Sequence, residues 1–217
     1  MTVILVLLKN AYHRRDTLNH KLDGGSGADS IVGSTGSDSI TGGTENDTIH
    51  GSAGSDTLRG GEGDDSIIGG TGIDSIEGEA GNDIIYTGGG AGSDTVNGFT
   101  GNDTIIAADT AGSVGTGSQT FNGGDGADSI TGGSASDTID GGSGADVIIG
   151  GAGSDAITDG EGADVMTGGA GVDTFTFTAG DTSTNTITDW NVGGDQDAFG
   201  GQALYPSGGT RSSIIPK

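Results

Sequence analysis

The sequence predicts an all-β solenoid in which short parallel strands stack coil upon coil, and three observations lead there. One nine-residue pattern, G-G-x-G-x-D-x-U-x with U a large apolar residue, recurs from Leu22 to Thr178 and is seen in full at Gly123-Gly124-Asp125-Gly126-Ala127-Asp128-Ser129-Ile130-Thr131. Forty-nine glycines, two prolines and 4 % aromatic residues in 217 leave too few bulky side chains for an ordinary compact core. A solenoid escapes that limit, because each coil buries only one apolar residue per strand against its neighbours. Within the pattern only x-U-x has strand character, and alternation along a strand turns U inward and its flanks outward.

In chain order, residues 1–21 stand outside the repeat and are expected to cap the open end as a short strand or helix. Met1–Leu8 is apolar but far too short to span a membrane, and it lacks the basic lead and small-residue cleavage site of a signal peptide. Lys9, Arg14, Arg15 and Lys21 make up four of the seven basic residues and are expected to sit against acidic turns. Asn19-His20-Lys21-Leu22-Asp23 reads as a decayed half-coil, with Leu22 at U and His20 where Asp belongs.

Residues 22–178 form the repeat domain. Seven repeats run unbroken from Gly24 to Tyr86, and two extra residues precede Asp94. After Ile106 the step from Asp103 to Asp128 is 25 residues. Counting back nine from Asp128 gives Gln119, with Phe121 at U, so the true insertion is seven residues near 107–113. There are sixteen repeats, fifteen of them with Asp. The U residues are Ile31, Ile40, Ile49, Leu58, Ile67, Ile76, Ile85, Val96, Ile105, Phe121, Ile130, Ile139, Ile148, Ile157, Met166 and Phe175. The glycines of the first six positions permit the positive φ of a sharp reversal. Strand, turn, strand, turn makes one coil of two repeats. About eight such coils, at ~4.8 Å between strands, make two parallel sheets and a rod about 40 Å long. Residues 179–217 are expected to close the other end and to hold an export-signal tail.

Turns eighteen residues apart stack directly. This predicts two columns of carboxylates, with Asp29 over Asp47 in one and Asp38 over Asp56 in the other. Carboxylates at strand spacing repel one another unless a cation lies between them. Each gap offers two carboxylates and several glycine carbonyls, a hard oxygen set that suits Ca²⁺ better than the strict octahedron of Mg²⁺. Zn²⁺ is disfavoured, since cysteine is absent and His13, His20 and His50 are scattered. Sixteen repeats give fourteen stacked pairs, two of which involve Gln119; about a dozen divalent ions in the rest would offset a net charge of −24.

These residues resemble the RTX (repeats-in-toxin) nonapeptide proteins, whose Gly- and Asp-rich repeats form a right-handed parallel β-roll around Ca²⁺. The likeness spans about Leu22–Phe199. It implies that the metal ligands are the side chains of Asp29, Asp38, Asp47, Asp56, Asp65, Asp74, Asp83, Asp94, Asp103, Asp128, Asp137, Asp146, Asp155, Asp164 and Asp173. It implies further ligands in turn carbonyls, with candidates at Gly24, Gly27, Gly36, Gly54, Gly60, Gly63, Gly69, Gly72, Gly81, Gly92, Gly101, Gly126, Gly141, Gly144, Gly153, Gly162 and Gly171. Gln119, and Glu45, Ala135 and Asp159 at turn-glycine positions, depart from the pattern and put their own sites in question. Asn185-Thr186-Ile187-Thr188-Asp189-Trp190 and Gly193-Gly194-Asp195 resemble the segment that closes such rolls, with Trp190 as a plug. Gln196–Gly200 departs from the apolar strand the family has there. The resemblance also implies export by a type I secretion apparatus and folding outside the cell.

Other functions fit poorly. There is no H-E-x-x-H, no G-x-S-x-G and no Gly-Lys-Ser/Thr. Carboxylates repeated fifteen times are ligands rather than one tuned catalytic dyad. A −24 chain repels nucleic acid and phosphate. Ice binding would need Thr and Asn at fixed turn positions coil after coil; Thr100-Gly101-Asn102-Asp103 meets that, but other coils have Ser26 with Ala28, Glu62 with Asp64, and Ala152 with Ser154 there. The expectation is a secreted, extracellular or cell-surface Ca²⁺-binding protein without enzymatic activity or a transmembrane segment. Its role would be structural, adhesive or secretion-assisting, with cell-surface or matrix components as partners. The alternative is the calcium-binding module of a larger secreted hydrolase, toxin or surface protein.

Overall fold

The structure is a computed structural model; it describes residues 17–108 and 112–189 fully, and 3–6, 12–13 and 196–199 by their backbone. All regular elements among the described residues are strands, and every strand pairing is parallel. The chain winds back and forth between two sheets. One has eleven strands: Val3–Val6, His20–Ser26, Ser39–Thr44, Thr57–Glu62, Ser75–Ala80, Thr95–Thr100, Thr120–Asp125, Thr138–Ser143, Ala156–Thr158, Thr174–Phe177 and Gln196–Phe199. The other has ten: Tyr12–His13, Ser30–Val32, Thr48–Ala53, Ser66–Thr71, Ile84–Tyr86, Thr104–Ile106, Ser129–Thr131, Val147–Ala152, Val165–Ala170 and Thr186–Ile187. The solenoid has about 9 turns. That is one more than the repeats alone predict, because segments outside them extend both sheets.

Register follows the apolar residue. Leu22, Ile40, Leu58, Ile76, Val96, Phe121, Ile139, Ile157 and Phe175 lie opposite one another up the first sheet. Ile31, Ile49, Ile67, Ile85, Ile105, Ile130, Ile148, Met166 and Ile187 do so in the second. All are buried between the sheets. Each side chain taken from water in this way contributes roughly 1.5–3 kcal/mol, which makes the two stacks the apolar framework of the roll.

The strands run further than x-U-x. Pairing continues through the first turn glycines, with Gly43 opposite Gly61 and Thr44 opposite Glu62. The second turn residue takes positive φ, 126° at Gly43 and 121° at Gly61, so the chain bends while its backbone still bonds the coil beside it. Ser52, Glu79 and Phe99 hold the same bend with an L side chain, at φ 86°, 77° and 74°. The seven-residue insertion is pinched at its base by an antiparallel bridge from Ala108 to Val114.

One reading of the sequence needs correction and one is narrowed. His20, expected as a surface or cap residue, is a cap residue and is buried, at 2 % exposure. Gln196–Phe199 does form a strand, paired with Thr174–Phe177, although its sequence lacks the apolar pattern; register with the preceding coil fixes it. Lys9, Arg14, Arg15, Asp109, Trp190, Asp195 and the 201–217 tail lie outside the described residues.

Candidate metal-binding columns

Every repeat aspartate is buried at the bend between the two sheets, from 7 % exposed at Asp29 to 0 % at Asp173. They stack as the period requires. Along one edge, the backbone N–H groups of Asp29, Asp47, Asp65, Asp83, Asp103, Asp128 and Asp146 each donate to Oδ1 of the aspartate one coil on, at 2.7–2.8 Å. Along the other, Asp38, Asp56, Asp74, Asp137 and Asp155 donate to Oδ1 of their next aspartates, at 2.7–2.9 Å. The ladder steps over the insertions without losing register: Asp83 meets Asp103, and Asp103 meets Asp128.

That bond uses only one oxygen of each carboxylate. Oδ2 of Asp29, Asp47, Asp56, Asp65, Asp74, Asp83, Asp103, Asp128, Asp146, Asp155 and Asp164 is buried without a hydrogen-bond partner. A carboxylate oxygen so placed is costly unless a cation lies beside it. All of these oxygens but that of Asp164, whose turn starts with Asp159 and no glycine, face backbone oxygen as well. A Cβ added to Gly24 would lie 2.8 Å from Asp29 Oδ2 and 2.5 Å from the carbonyl oxygen of Gly42; at Gly51 the corresponding atoms are Asp56 Oδ2 at 2.6 Å and Gly69 O at 2.5 Å. Glycine at the first turn position therefore leaves a small cradle that any side chain would fill, walled by one orphaned carboxylate oxygen and one carbonyl of the next coil. Among the described residues no three His, Cys, Asp or Glu side chains converge on one point. A metal held here must draw most of its ligands from the backbone, which suits Ca²⁺ with its six to eight oxygens.

The departures from the pattern keep the carbonyls in place. Glu45 (φ 70°), Ala135 and Asp159 present their carbonyl groups to Gly63, Gly153 and Gly141 of neighbouring coils, as glycine does elsewhere. The Glu45 carboxylate accepts the N–H of Gly27. Two turns differ in kind. Ser34 N–H donates to Asp38 Oδ2 and Gly133 N–H to Asp137 Oδ2, both at 2.7 Å, so these carboxylates are satisfied within their own turn.

The model of the RTX calcium-binding nonapeptide repeat, a unit of four copies, matches the chain at residues 23–58, 59–92, 89–110, 113–148, 140–175 and 149–183. The chain belongs to the RTX family. It is a calcium-binding repeat protein. No individual curated protein matches it.

The electrostatics of the RTX columns follow from burial. Without a cation, desolvation pushes the carboxyls of Asp74, Asp83 and Asp146 up to about 7 and those of Asp56, Asp65, Asp103 and Asp155 up to about 6; the N–H from the neighbouring coil opposes this, and stacked carboxylates add to it. Asp47, Asp94, Asp128, Asp137 and Asp164 shift the same way, with desolvation again the largest cause. A Ca²⁺ ion held beside them would supply positive charge that keeps these groups ionised.

Three participants lie outside the sixteen repeats, and His20 among them stands at the Asp position where the decayed half-coil puts it. His20 starts one column, its N–H donating to Asp38 Oδ1 at 2.7 Å and its Nδ1 3.1 Å from the same oxygen. Asn185 ends the other: its Oδ1 accepts the Asp164 N–H at 2.9 Å. Asp189 accepts the N–H groups of Gly168 and Gly169, at 3.0 and 2.7 Å, over the last turn. For Asn185 the signal was available, since Ile187 follows it at the U spacing.

Proposed function

We propose that this RTX chain is an extracellular protein exported unfolded by a type I secretion apparatus and folded by Ca²⁺ once outside. Its role is structural, adhesive or secretion-assisting, and it has no enzymatic activity of its own. The observation that carries the reading is the series of buried Oδ2 atoms without partners, Asp29 to Asp164 on one edge and Asp56, Asp74 and Asp155 on the other. With no disulfide available, the cost of those oxygens and the weak driving force of a glycine-rich chain leave the cation as the main source of folding free energy. Low cytoplasmic Ca²⁺ then keeps the chain threadable, and extracellular Ca²⁺ at ~0.1–1 mM closes it.

Far-UV circular dichroism with excess chelator and with added Ca²⁺ tests this. The expected result is a disordered spectrum that becomes strand-rich cooperatively as Ca²⁺ rises. A strand-rich spectrum in chelator, unchanged by Ca²⁺, would overturn it.

A further inference from the structure

The two edges of the roll are not equivalent, and the difference centres on Gln119. Its side chain is buried, at 2 % exposure, in the column where aspartate is otherwise the rule. Its amide oxygen does what Oδ1 does elsewhere, accepting the Asp94 N–H at 2.9 Å. Its other head atom has the opposite hydrogen-bonding sense from a carboxylate oxygen. Nε2 donates to the carbonyls of Gly92 and Gly117, each at 3.0 Å, and these are the fourth turn residues of two successive coils. Where Oδ2 and carbonyls face each other a cation must sit between them; an NH₂ group bonds the carbonyls directly.

The neighbouring coils are consistent with this. Gln119 N–H donates to Asp137 Oδ1 at 2.7 Å, and Asp137 Oδ2 is taken by the Gly133 N–H. On the other side, the Asp94 carboxylate accepts the Asp74 N–H at 2.8 Å. None of the side chains of Asp94, Gln119 and Asp137, in three successive coils, leaves a buried polar atom without a partner. On the opposite edge at the same height, Asp83, Asp103, Asp128 and Asp146 all keep an orphaned Oδ2. An amide also ends that opposite column: Asn185 Nδ2 donates to Asp159 Oδ2 at 2.6 Å while its Oδ1 continues the ladder.

We propose that Gln119 stands in for a calcium ion, its amide nitrogen tying together carbonyls that Ca²⁺ ties elsewhere. The edge from Asp38 to Asp173 is thereby divided into two short calcium-binding stretches around a metal-free middle, while the edge from Asp29 to Asp164 is a continuous ladder. The proposal rests on the calcium reading above.

The test counts Ca²⁺ bound per folded chain by equilibrium dialysis and reads the Ca²⁺ midpoint of folding by circular dichroism, on the full chain and three variants. Gln119→Asp restores the carboxylate and is expected to bind ~1–2 additional ions. Gln119→Met keeps the length but removes the donor; it is expected to keep the parent's ion count and to need severalfold more Ca²⁺ to fold. Asp103→Asn, on the continuous edge, is expected to bind fewer ions. A Gln119→Met chain that loses an ion, or a folded Gln119→Asp chain with the parent's count, overturns the proposal; if Gln119→Asp does not fold, Gln119→Met decides alone. Should the parent chain take up no Ca²⁺, the calcium reading itself fails and this proposal with it. A normal loss at Asp103→Asn together with a loss at Gln119→Met refutes the role of Gln119 only.

Discussion

The backbone N–H of Asp128 donates to Oδ1 of Asp146 at 2.8 Å, while Oδ2 of Asp146 has no partner. One side chain thus has two separable tasks. Oδ1 fixes coil-to-coil register, and Oδ2 is offered to a cation. Asp146→Asn is expected to keep the first and lose the second, binding fewer ions with register intact. Asp146→Ala loses both and leaves the buried N–H of Asp128 unsatisfied, at a further cost of about 1–3 kcal/mol. Calcium counts by dialysis and the folding midpoint of both variants check this, with the exposed Asp140→Ala as control. Equal effects in all three would contradict the division of tasks.

Acid should act in opposite directions on the metal-free and loaded protein. The folded carboxyls of Asp56, Asp65, Asp74, Asp83, Asp103, Asp146 and Asp155 lie at about 6 to about 7, against 3.8 unfolded. Folding then takes up protons, so these groups contribute stability that is fully present below 3.8 and is lost as pH rises through about 6 to 7. In chelator, strand signal should therefore grow as pH falls from neutrality towards about 4. With Ca²⁺ present, protons compete with the ion, and the midpoint should move to higher Ca²⁺ over the same range. Circular dichroism across pH in both conditions reads the two trends. A chelated chain equally disordered at both ends of the range would count against the buried columns.

Adjacent glycines should respond differently to substitution. A Cβ at Gly24 meets Asp29 Oδ2 and the Gly42 carbonyl, whereas Gly25, at φ 91°, has nothing within 4 Å of the same atom. Gly24→Ala is expected to close the cradle, displacing the Asp29 carboxylate and losing an ion. Gly25→Asn, a residue that tolerates this conformation, should cost about 1 kcal/mol or less and leave the ion count unchanged. Dialysis and midpoint measurements on the pair separate backbone strain from loss of ligand space. The same loss of bound Ca²⁺ in both would refute the cradle.

The sheets, the apolar stacks and both aspartate columns were legible in the sequence because one period dictates them: two residues from Asp to U set the facing, and eighteen residues set the stacking. What was not legible depended on atoms within a side chain or on a single dihedral. Gln119 was readable as a gap in the column, but not the donor sense of its amide toward Gly92 and Gly117. The self-satisfied turns at Asp38 and Asp137 arise because Ser34 and Gly133 avoid the positive φ that Gly43 and Gly61 adopt. His20 was legible as standing at an Asp position of a decayed half-coil, but not that the stack buries it beneath Asp38.

The C-terminal segment closes the roll through Asn185, Ile187 and Asp189. Ile187 is fully buried and lies opposite Met166, covering the end of the second apolar stack. Asn185 satisfies the Asp164 N–H, and Asp189 satisfies those of Gly168 and Gly169; all three would otherwise be open edge groups of the last coil. Deleting residues 179–217 removes all of this. It exposes Met166, at roughly 1.5–3 kcal/mol for such a side chain, beside three N–H groups without acceptors. The truncated chain is expected to need more Ca²⁺ to fold, or to associate through its open end. Asn185→Ala and Asp189→Ala, each in the full chain, should raise the Ca²⁺ midpoint by a smaller step in the same direction. Circular dichroism titration with light scattering reads both outcomes. A truncated protein that folds at the parent's Ca²⁺ midpoint and stays monomeric would show that residues 179–217 do not seal the roll, and would leave export as their remaining role.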